Sequence, residues 1–491
     1  MCLQEALGIE SQATKLSHAR RAENKLRIHN DTAGARYAAL VATSYVCMMA
    51  ESYGYNAAFI SPEPRSQRDA RNRPDRDKWE AAEGKELSTL WHMGTFLLVD
   101  RPPIYDPLPL HFVYKLKVKD GDFDNVTYKA RLVMPGNLQY ADEYGETYAP
   151  TARLWSLRTM TAIAAQEGLT LKKFDLTGAF LVADMQHEIY AEIPGYAIPE
   201  GKALLLKKAL YGGRSSGALY SKEITTWLTN YGFKPTSIDQ TLFRMERNGP
   251  QGKEIILLSL YVDDGACATN SEAFYKKFIT DLQAKYQLSD QGKLEWHLGM
   301  KFTQDLKNGT IKIDQKAYIE AVLKRFDMSD ANGRDTPLEP KIRLSKADSP
   351  SVPDKKMVKL YHQLIGSLMY VACATRPDIA YAVSSCAQFM SNPGPRHVEA
   401  AKHILRYLKQ TKDVGITYSK QTNDEMANKL FGYVDADHAA DKDDRKSVGG
   451  YVSSSMEAQS AGQAVKSRSS PYHRLKANGT APASRDWRCN L

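Results

Sequence analysis

The sequence predicts a mixed α+β fold, and three features predict it. An apolar, β-branched run, Ile255-Ile-Leu-Leu-Ser-Leu-Tyr-Val, ends in two adjacent carboxylates, Asp263 and Asp264; Gly265 and a short apolar stretch follow. This reads as a β-hairpin with both acids at or beside its tip. A second apolar run, Leu171-Lys-Lys-Phe, leads into one carboxylate, Asp175. Capped helical segments alternate with these strands in a βαββαβ-like rhythm. Asp264-Gly265 is also a common turn dipeptide, and a solvated turn is the plain alternative. The matching acid at Asp175 weighs against it. Clustered carboxylates repel unless a cation lies between them, and hard oxygen ligands select Mg²⁺ or Mn²⁺. A pair of such ions is the usual machinery of in-line phosphoryl transfer.

The chain has 491 residues, enough for two to four domains, with 43% hydrophobic and 25% charged residues. Its formal net charge of +9 suits a nucleic-acid partner but is shared by many other proteins. Six scattered Cys form no Cys-x-x-Cys pair, which argues against a zinc module or a disulfide scaffold. No apolar run is long enough to span a bilayer.

In chain order, residues 1–76 read as a linker with one apolar stretch at 38–49. Asp77 caps a helix from Lys78 to about Met93, closed by Gly94, with Trp79, Leu87, Leu90 and Trp91 at core spacing. Phe112 to Lys119 and Thr127 to Val133 alternate as two strands around Asp120-Gly121. Lys115, Lys117, Lys119, Lys129 and Arg131 share one face; a solvated edge is the plain reading. Thr151 caps a helix ending at Glu167. A helix from Ala218 to Tyr231 buries Leu219, Ile224, Trp227 and Leu228. Ser271 caps another, from Glu272 to Tyr286, lined by Phe274, Phe278 and Leu282. Leu294 to Phe302 and Ile311 to Asp314 form a strand pair closed by Asn308-Gly309, and Gln315 to Phe326 is an amphipathic basic helix. Residues 336–353 are a Pro- and Lys-rich linker. Helices follow from Tyr361, the last of them, His397 to Thr411, presenting Arg396, Lys402, Arg406 and Lys409 as a solvated basic face.

Phe174-Asp-Leu-Thr-Gly-Ala-Phe-Leu followed by Tyr261-Val-Asp-Asp resembles motifs A and C of reverse transcriptases. Tyr128-Lys-Ala-Arg-Leu-Val, Tyr148-Ala-Pro-Thr-Ala-Arg, Leu206-Lys-Lys-Ala-Leu-Tyr-Gly, Thr375-Arg-Pro-Asp-Ile-Ala-Tyr-Ala-Val and Tyr433-Val-Asp-Ala-Asp-His narrow the resemblance to the copia-type (pseudoviral) LTR retrotransposon Pol polyprotein. It runs in order from about Pro62 to about Val452. The resemblance implies a right-hand polymerase: fingers, palm and thumb over 77–335, a linker at 336–353, a helical connection at 354–425 and a truncated ribonuclease H-like start at 426–452. Residues 453–491, rich in Ser, Ala and Arg, would be an aberrant, disordered tail read out of frame.

The implied activity is RNA-directed DNA synthesis with two Mg²⁺ or Mn²⁺ ions held by Asp175, Asp263 and Asp264. Lys129 and Arg131 would contact the incoming phosphates, Arg131 as a fork. Phe180 would pack under the nucleotide sugar and disfavour a 2′-hydroxyl, with core burial as the alternative. Tyr261 would sit beneath the primer terminus. Ser215 replaces the glutamine usual at its place in motif B and has a shorter reach. The partners implied are an RNA template, a DNA primer, deoxynucleoside triphosphates and the integrase of the same element. The setting implied is intracellular, in a cytoplasmic virus-like particle or the nucleus. Asp435, with Asp437 as runner-up, matches the first ribonuclease H acid. The acids that should follow are missing, so no ribonuclease H activity is expected. Two other readings stand beside this one: a decayed element that binds nucleic acid without chemistry, and a two-metal nuclease, for which the Lys129/Arg131 segment has no use.

Overall fold

A computed structural model of the chain describes residues 63–466, except 104–105, 120–121, 238, 251, 341, 421–429, 437–440, 442, 446 and 456–457. The expectations for 1–62, for Asp437 and for 467–491 lie outside the described residues.

The first core forms around two helices, α1 (Gln67–Arg71) and α2 (Arg76–His92). They pack on β1 (Phe96–Asp100), β2 (Leu108–Pro109) and the hairpin of β3 (His111–Lys119) and β4 (Asp122–Val133). Phe112, Tyr114 and Leu116 turn inward against Ala130 and Leu132. The register Val113↔Arg131, Lys115↔Lys129 puts the cationic residues on the opposite face, as the alternation predicts. Trp79 and Leu90 are buried as expected, but Trp91 is 47% exposed. The helix's fully buried polar residue is Glu83, whose carboxylate accepts from Arg71, Gln67 and the Tyr114 and Tyr196 hydroxyls. A buried charge is tolerated only when its oxygens are satisfied in this way.

A second layer carries the acids. Helix α3 (Leu154–Glu167) starts at Leu154 rather than just after Thr151. The carboxylate of Asp239, far along the chain, accepts from the Arg153 N–H and the Ser156 hydroxyl at its N-terminus. Next come β5 (Thr170–Leu176), β6 (Tyr190–Glu192), β7 (Lys202–Leu206) and α4 (Ser216–Tyr231). The chain continues through β8 (Lys234–Pro235), β9 (Leu242–Gly249), β10 (Gly252–Tyr261), β11 (Asp264–Thr269), α5 (Glu272–Gln283) and β12 (Leu288–Lys293). Strands β6 and β7 complete the sheet β1-β7-β6-β2; the acids lie on the sheet β12-β5-β11-β10-β9-β8. One face of that sheet packs Phe174, Ile256, Leu258 and Cys267 against Phe274, Phe278, Ile224 and Leu228 of α5 and α4. On the other face, Leu171, Leu257, Ala266 and Ala268 meet α3 and the rest of the chain.

The third part joins the core on this second face. Strands β13 (Trp296–His297), β14 (Met300–Asp305) and β15 (Thr310–Asp314) pair in order, and β16 (Ile416–Ser419) returns about a hundred residues later to pair with β15. Helices α6 (Lys316–Arg325), α7 (Lys355–Ala374), α8 (Ala380–Ala387) and α9 (Pro395–Gln410) share the same hydrophobic cluster. The basic residues of α9 are not simply solvated. Arg406 donates to the Asn332 carbonyl, Lys409 to that of Ala331, and Arg396 pairs with Asp348. His403 and His397 bond the carbonyls of Thr336 and Ser345, so the segment expected as a loose linker is laced along α9.

Finally, β17 (Leu430–Ala436), β18 (Val448–Ser455) and β19 (Ala458–Lys466) form an antiparallel sheet. The last strand extends the sheet past residue 452, where the resemblance ends. It forms without the alternating pattern that announces strands elsewhere.

The plain alternative of an Asp264-Gly265 turn does not hold: Gly265 lies inside β11 opposite Phe174. A Cβ there would overlap the Phe174 ring, which is itself buried. Gly265→Ala is therefore expected to lose about 1–3 kcal/mol of stability by overpacking, measured by urea unfolding. An unchanged midpoint would show that the ring can move aside.

Candidate active site

The acids meet because of strand register. Asp264 is the Cα partner of Asp175, and Tyr261 is the partner of Asp264. The turn itself is Val262-Asp263, two residues earlier than Asp264-Gly265. Val262 has φ +55°, at the position where two-residue hairpins favour glycine. Its carbonyl accepts the Tyr220 hydroxyl, which ties the hairpin tip to α4. The Asp263 carbonyl also accepts from the Leu176 N–H at 2.8 Å, closing the tip onto the end of β5.

Burial pushes the Asp263 carboxyl above the usual range, the charges of Asp264 and Asp175 add to the shift, and Arg131 opposes it. The site is thus a concentration of negative charge with a guanidinium in its field. Arg131 stacks 4.8 Å from the Tyr211 ring centroid. Phe180 follows β5 on a short 3-10 turn, Ala179–Val182. It meets Tyr211 edge-on at 4.8 Å and Tyr220 at 5.8 Å. Burial lifts the Tyr211 hydroxyl to about 12 against the pull of Arg131, with Asp263, Glu86 and Asp175 adding to the rise. Burial also holds Tyr220 well above its ordinary value, Asp263 adding to it. The structure therefore gathers Asp175, Asp263, Asp264, Arg131 and Phe180 into one neighbourhood. Tyr261 lies beside them, buried, in the same row of the sheet.

Other expected residues stand differently. Lys129 is one alternation along β4 from Arg131, opposite Lys115. Ser215 is only 3% exposed at the N-cap of α4, so its short side chain presents no open hydroxyl. The adjacent Arg214, which keeps the motif's cation, bonds the Gly136 carbonyl and the Tyr144 hydroxyl and so braces a loop. Asp435 is exposed on β17, in the separate C-terminal sheet.

Three residues escaped the sequence reading. Glu86 on α2 accepts from the Leu132 N–H; burial raises its carboxyl while Lys129 and Arg131 pull it down. Lys173 pairs with Asp264 at 3.0 Å. His297 is 1% exposed, and neither ring nitrogen has a hydrogen-bond partner. Nothing in its local sequence marks it; only the packing of β13 near the acids does.

Among the described residues, no three His, Cys, Asp or Glu side chains converge closely enough to hold a metal ion as they stand. The donor chemistry nevertheless fits a hard divalent cation. There are three carboxylates, two of them register partners, and the repulsion felt by Asp263 is what such a cation relieves.

The family model for reverse transcriptase (RNA-dependent DNA polymerase) matches residues 93–340, half of the chain and all three acids. The chain belongs to that family. More narrowly, it is the reverse transcriptase region of a copia-type retrotransposon. It is 35% identical over 399 residues to the retrovirus-related Pol polyprotein from transposon TNT 1-94 of Nicotiana tabacum, an alignment covering 79% of this chain and 29% of that one. It is 30% identical to the corresponding polyprotein from transposon RE1 of Arabidopsis thaliana, covering 84% of this chain and 28% of that one. A putative transposon Ty5-1 protein of Saccharomyces cerevisiae is 30% identical over 282 residues, 57% of this chain and 87% of its own. The chain spans under a third of the length of the two plant polyproteins.

Burial pulls the His297 imidazole down to about 4. The unfolded chain takes up a proton near the ordinary 6.5 and the folded chain only near 4. Stability contributed by the neutral ring is thus present above 6.5 and lost as pH falls through that window. His297→Phe is expected to remove about 3 kcal/mol of acid-induced stability loss between pH 7.5 and 4.5, measured by urea unfolding at both. Equal losses in the two proteins would place a proton partner beside the ring.

Proposed function

We propose that this chain is the polymerase of its element: a right-hand enzyme that extends a DNA primer on an RNA template using deoxynucleoside triphosphates. The register pairing of Asp175 with Asp264, beside Asp263 at the hairpin tip, carries the reading. Asp175, Asp263 and Asp264 are the residues that would hold Mg²⁺ or Mn²⁺. Bound there, the ions would activate the primer 3′-hydroxyl and neutralise charge building on the triphosphate. In this reading the first core is the fingers, the acid-bearing sheet with α4 and α5 is the palm, and β13 to α6 with α7–α9 supply thumb and connection.

The remaining roles follow from position. Arg131, held over Tyr211 and within the field of Asp263, would fork onto phosphate oxygens, and Lys129 would add a point charge. Phe180, braced edge-on by Tyr211 and Tyr220, would press against the sugar and exclude a 2′-hydroxyl. Tyr261 would support the primer end from within the sheet. Ser215, buried, would contribute to packing more than to substrate contact. Asp435 alone supplies no ribonuclease H chemistry, so the activity is polymerisation without template degradation. The integrase of the same element, and an intracellular particle or the nucleus, complete the setting.

A second reading is a decayed element that binds nucleic acid silently. Lys173 paired to Asp264, and Ser215 at the usual glutamine position, favour it. Primer extension on an RNA template with Mg²⁺ or Mn²⁺ separates the two. Wild type should extend, and Asp175→Asn, Asp263→Asn and Asp264→Asn should each fall by about 10²–10³-fold. A folded wild-type chain that binds primer–template without extending it would leave the silent reading. Phe180→Val should raise ribonucleotide incorporation relative to deoxynucleotide; an unchanged ratio would make Phe180 a core residue only.

A further inference from the structure

The register that sets Asp264 opposite Asp175 also sets Lys173 opposite Ala266, two residues along each strand. Side chains two apart on a strand point the same way, so Lys173, Asp175 and Asp264 share one face of the sheet. Asp264 thus has a carboxylate directly across from it and an ammonium diagonally across. The ammonium has it: Lys173 Nζ lies 3.0 Å from Asp264 Oδ1, with the two side chains 15% and 12% exposed. Ion pairs this sheltered are screened little by water or salt and persist unless something replaces them. The nearby buried imidazole of His297, neutral at physiological pH, offers Asp264 no competing charge. Among the described residues, the three carboxylates do not converge as they stand, and one of them is paired with a lysine.

We propose that Lys173 is a displaceable internal counter-ion. It occupies Asp264 in the cation-free protein, leaves when a divalent cation binds, and thereby sets how tightly the acids hold that cation. The inference rests on the polymerase reading for the identity of the metal-binding acids and adds a positioning residue to them. Lys173 stands in for the ion, suppressing charge repulsion at rest at the expense of divalent affinity. Asp263, half-buried at the hairpin tip, already feels the charges of Asp264 and Asp175.

The test is Mn²⁺ binding to the full chain at pH 8, read from the electron paramagnetic resonance of unbound Mn²⁺, without nucleotide or primer. The Asp263→Asn/Asp264→Asn protein identifies which binding belongs to the acids. At those sites Lys173→Met is expected to bind Mn²⁺ about five- to tenfold more tightly than wild type. Lys173→Arg, which keeps the charge, should bind no more tightly than wild type. In chelator, Lys173→Met should melt below wild type, and Mn²⁺ should raise its melting temperature by more. Should Lys173→Met fail to fold, Lys173→Gln makes the same comparison. Equal or weaker Mn²⁺ affinity in the neutral variant overturns the proposal while leaving the metal site standing. Wild-type Mn²⁺ binding that survives loss of both aspartates overturns the metal site and the proposal together.

Discussion

The antiparallel pairing of β5 with β11 is the constraint on which the rest depends. It puts Asp264 across from Asp175, Gly265 across from Phe174, and Ala266 across from Lys173. A slip of β11 by one residue would send Asp264 into the apolar layer beneath α4 and α5 and away from Asp175. That layer fixes the register: Phe174 occupies the space a Gly265 side chain would need, and Phe278 meets its ring edge-on at 6.0 Å. The packing of an apolar face thus dictates which charges meet on the other.

The charged face is governed by compensation. Asp263 is held above its ordinary carboxyl range by burial and by its two acidic neighbours, Asp264 is paired with Lys173, and Arg131 approaches from the β3–β4 hairpin. Glu86 sits behind Lys129 and Arg131, so the cations too have a counter-charge. Asp264 and Arg131 each have an opposite protein charge within reach. With Lys173 paired to Asp264, the proposed cation binding becomes an exchange of partners. The aromatic trio Phe180, Tyr211 and Tyr220 supplies the rigid wall against which that exchange would take place.

Much of this was legible in the sequence. The two apolar runs ending in acids, the alternating cations of the β3–β4 hairpin and most helix limits follow from local periodicity. What escaped depends on distant partners. Thr151 has the residue type of a cap, but α3 begins three residues beyond it, where the Asp239 carboxylate reaches back to its N-terminus. The hairpin with Asp263 and Asp264 at or beside its tip is legible, but its exact turn, Val262-Asp263, is not, because Asp264-Gly265 is the commoner turn dipeptide and only the Phe174 ring keeps that glycine in the strand. The basic face of α9 looked solvated until the 331–348 segment folded over it. Lys173 was one cation in a Lys-Lys-Phe-Asp string, and only pairing with a strand some ninety residues away makes it part of the acid cluster. Strand β19 has no alternating pattern, and its formation follows from pairing with β18.

The central claim is that these three acids form a cation site whose occupant replaces Lys173. The most direct measurement is the anomalous scattering of Mn²⁺ in crystals of the chain with an RNA–DNA primer–template and an incoming deoxynucleotide. The account predicts anomalous density in direct contact with Asp175 and Asp264, with the Lys173 ammonium moved off Asp264. A Lys173–Asp264 pair that persists in the complex, with no anomalous density at the acids, would contradict it.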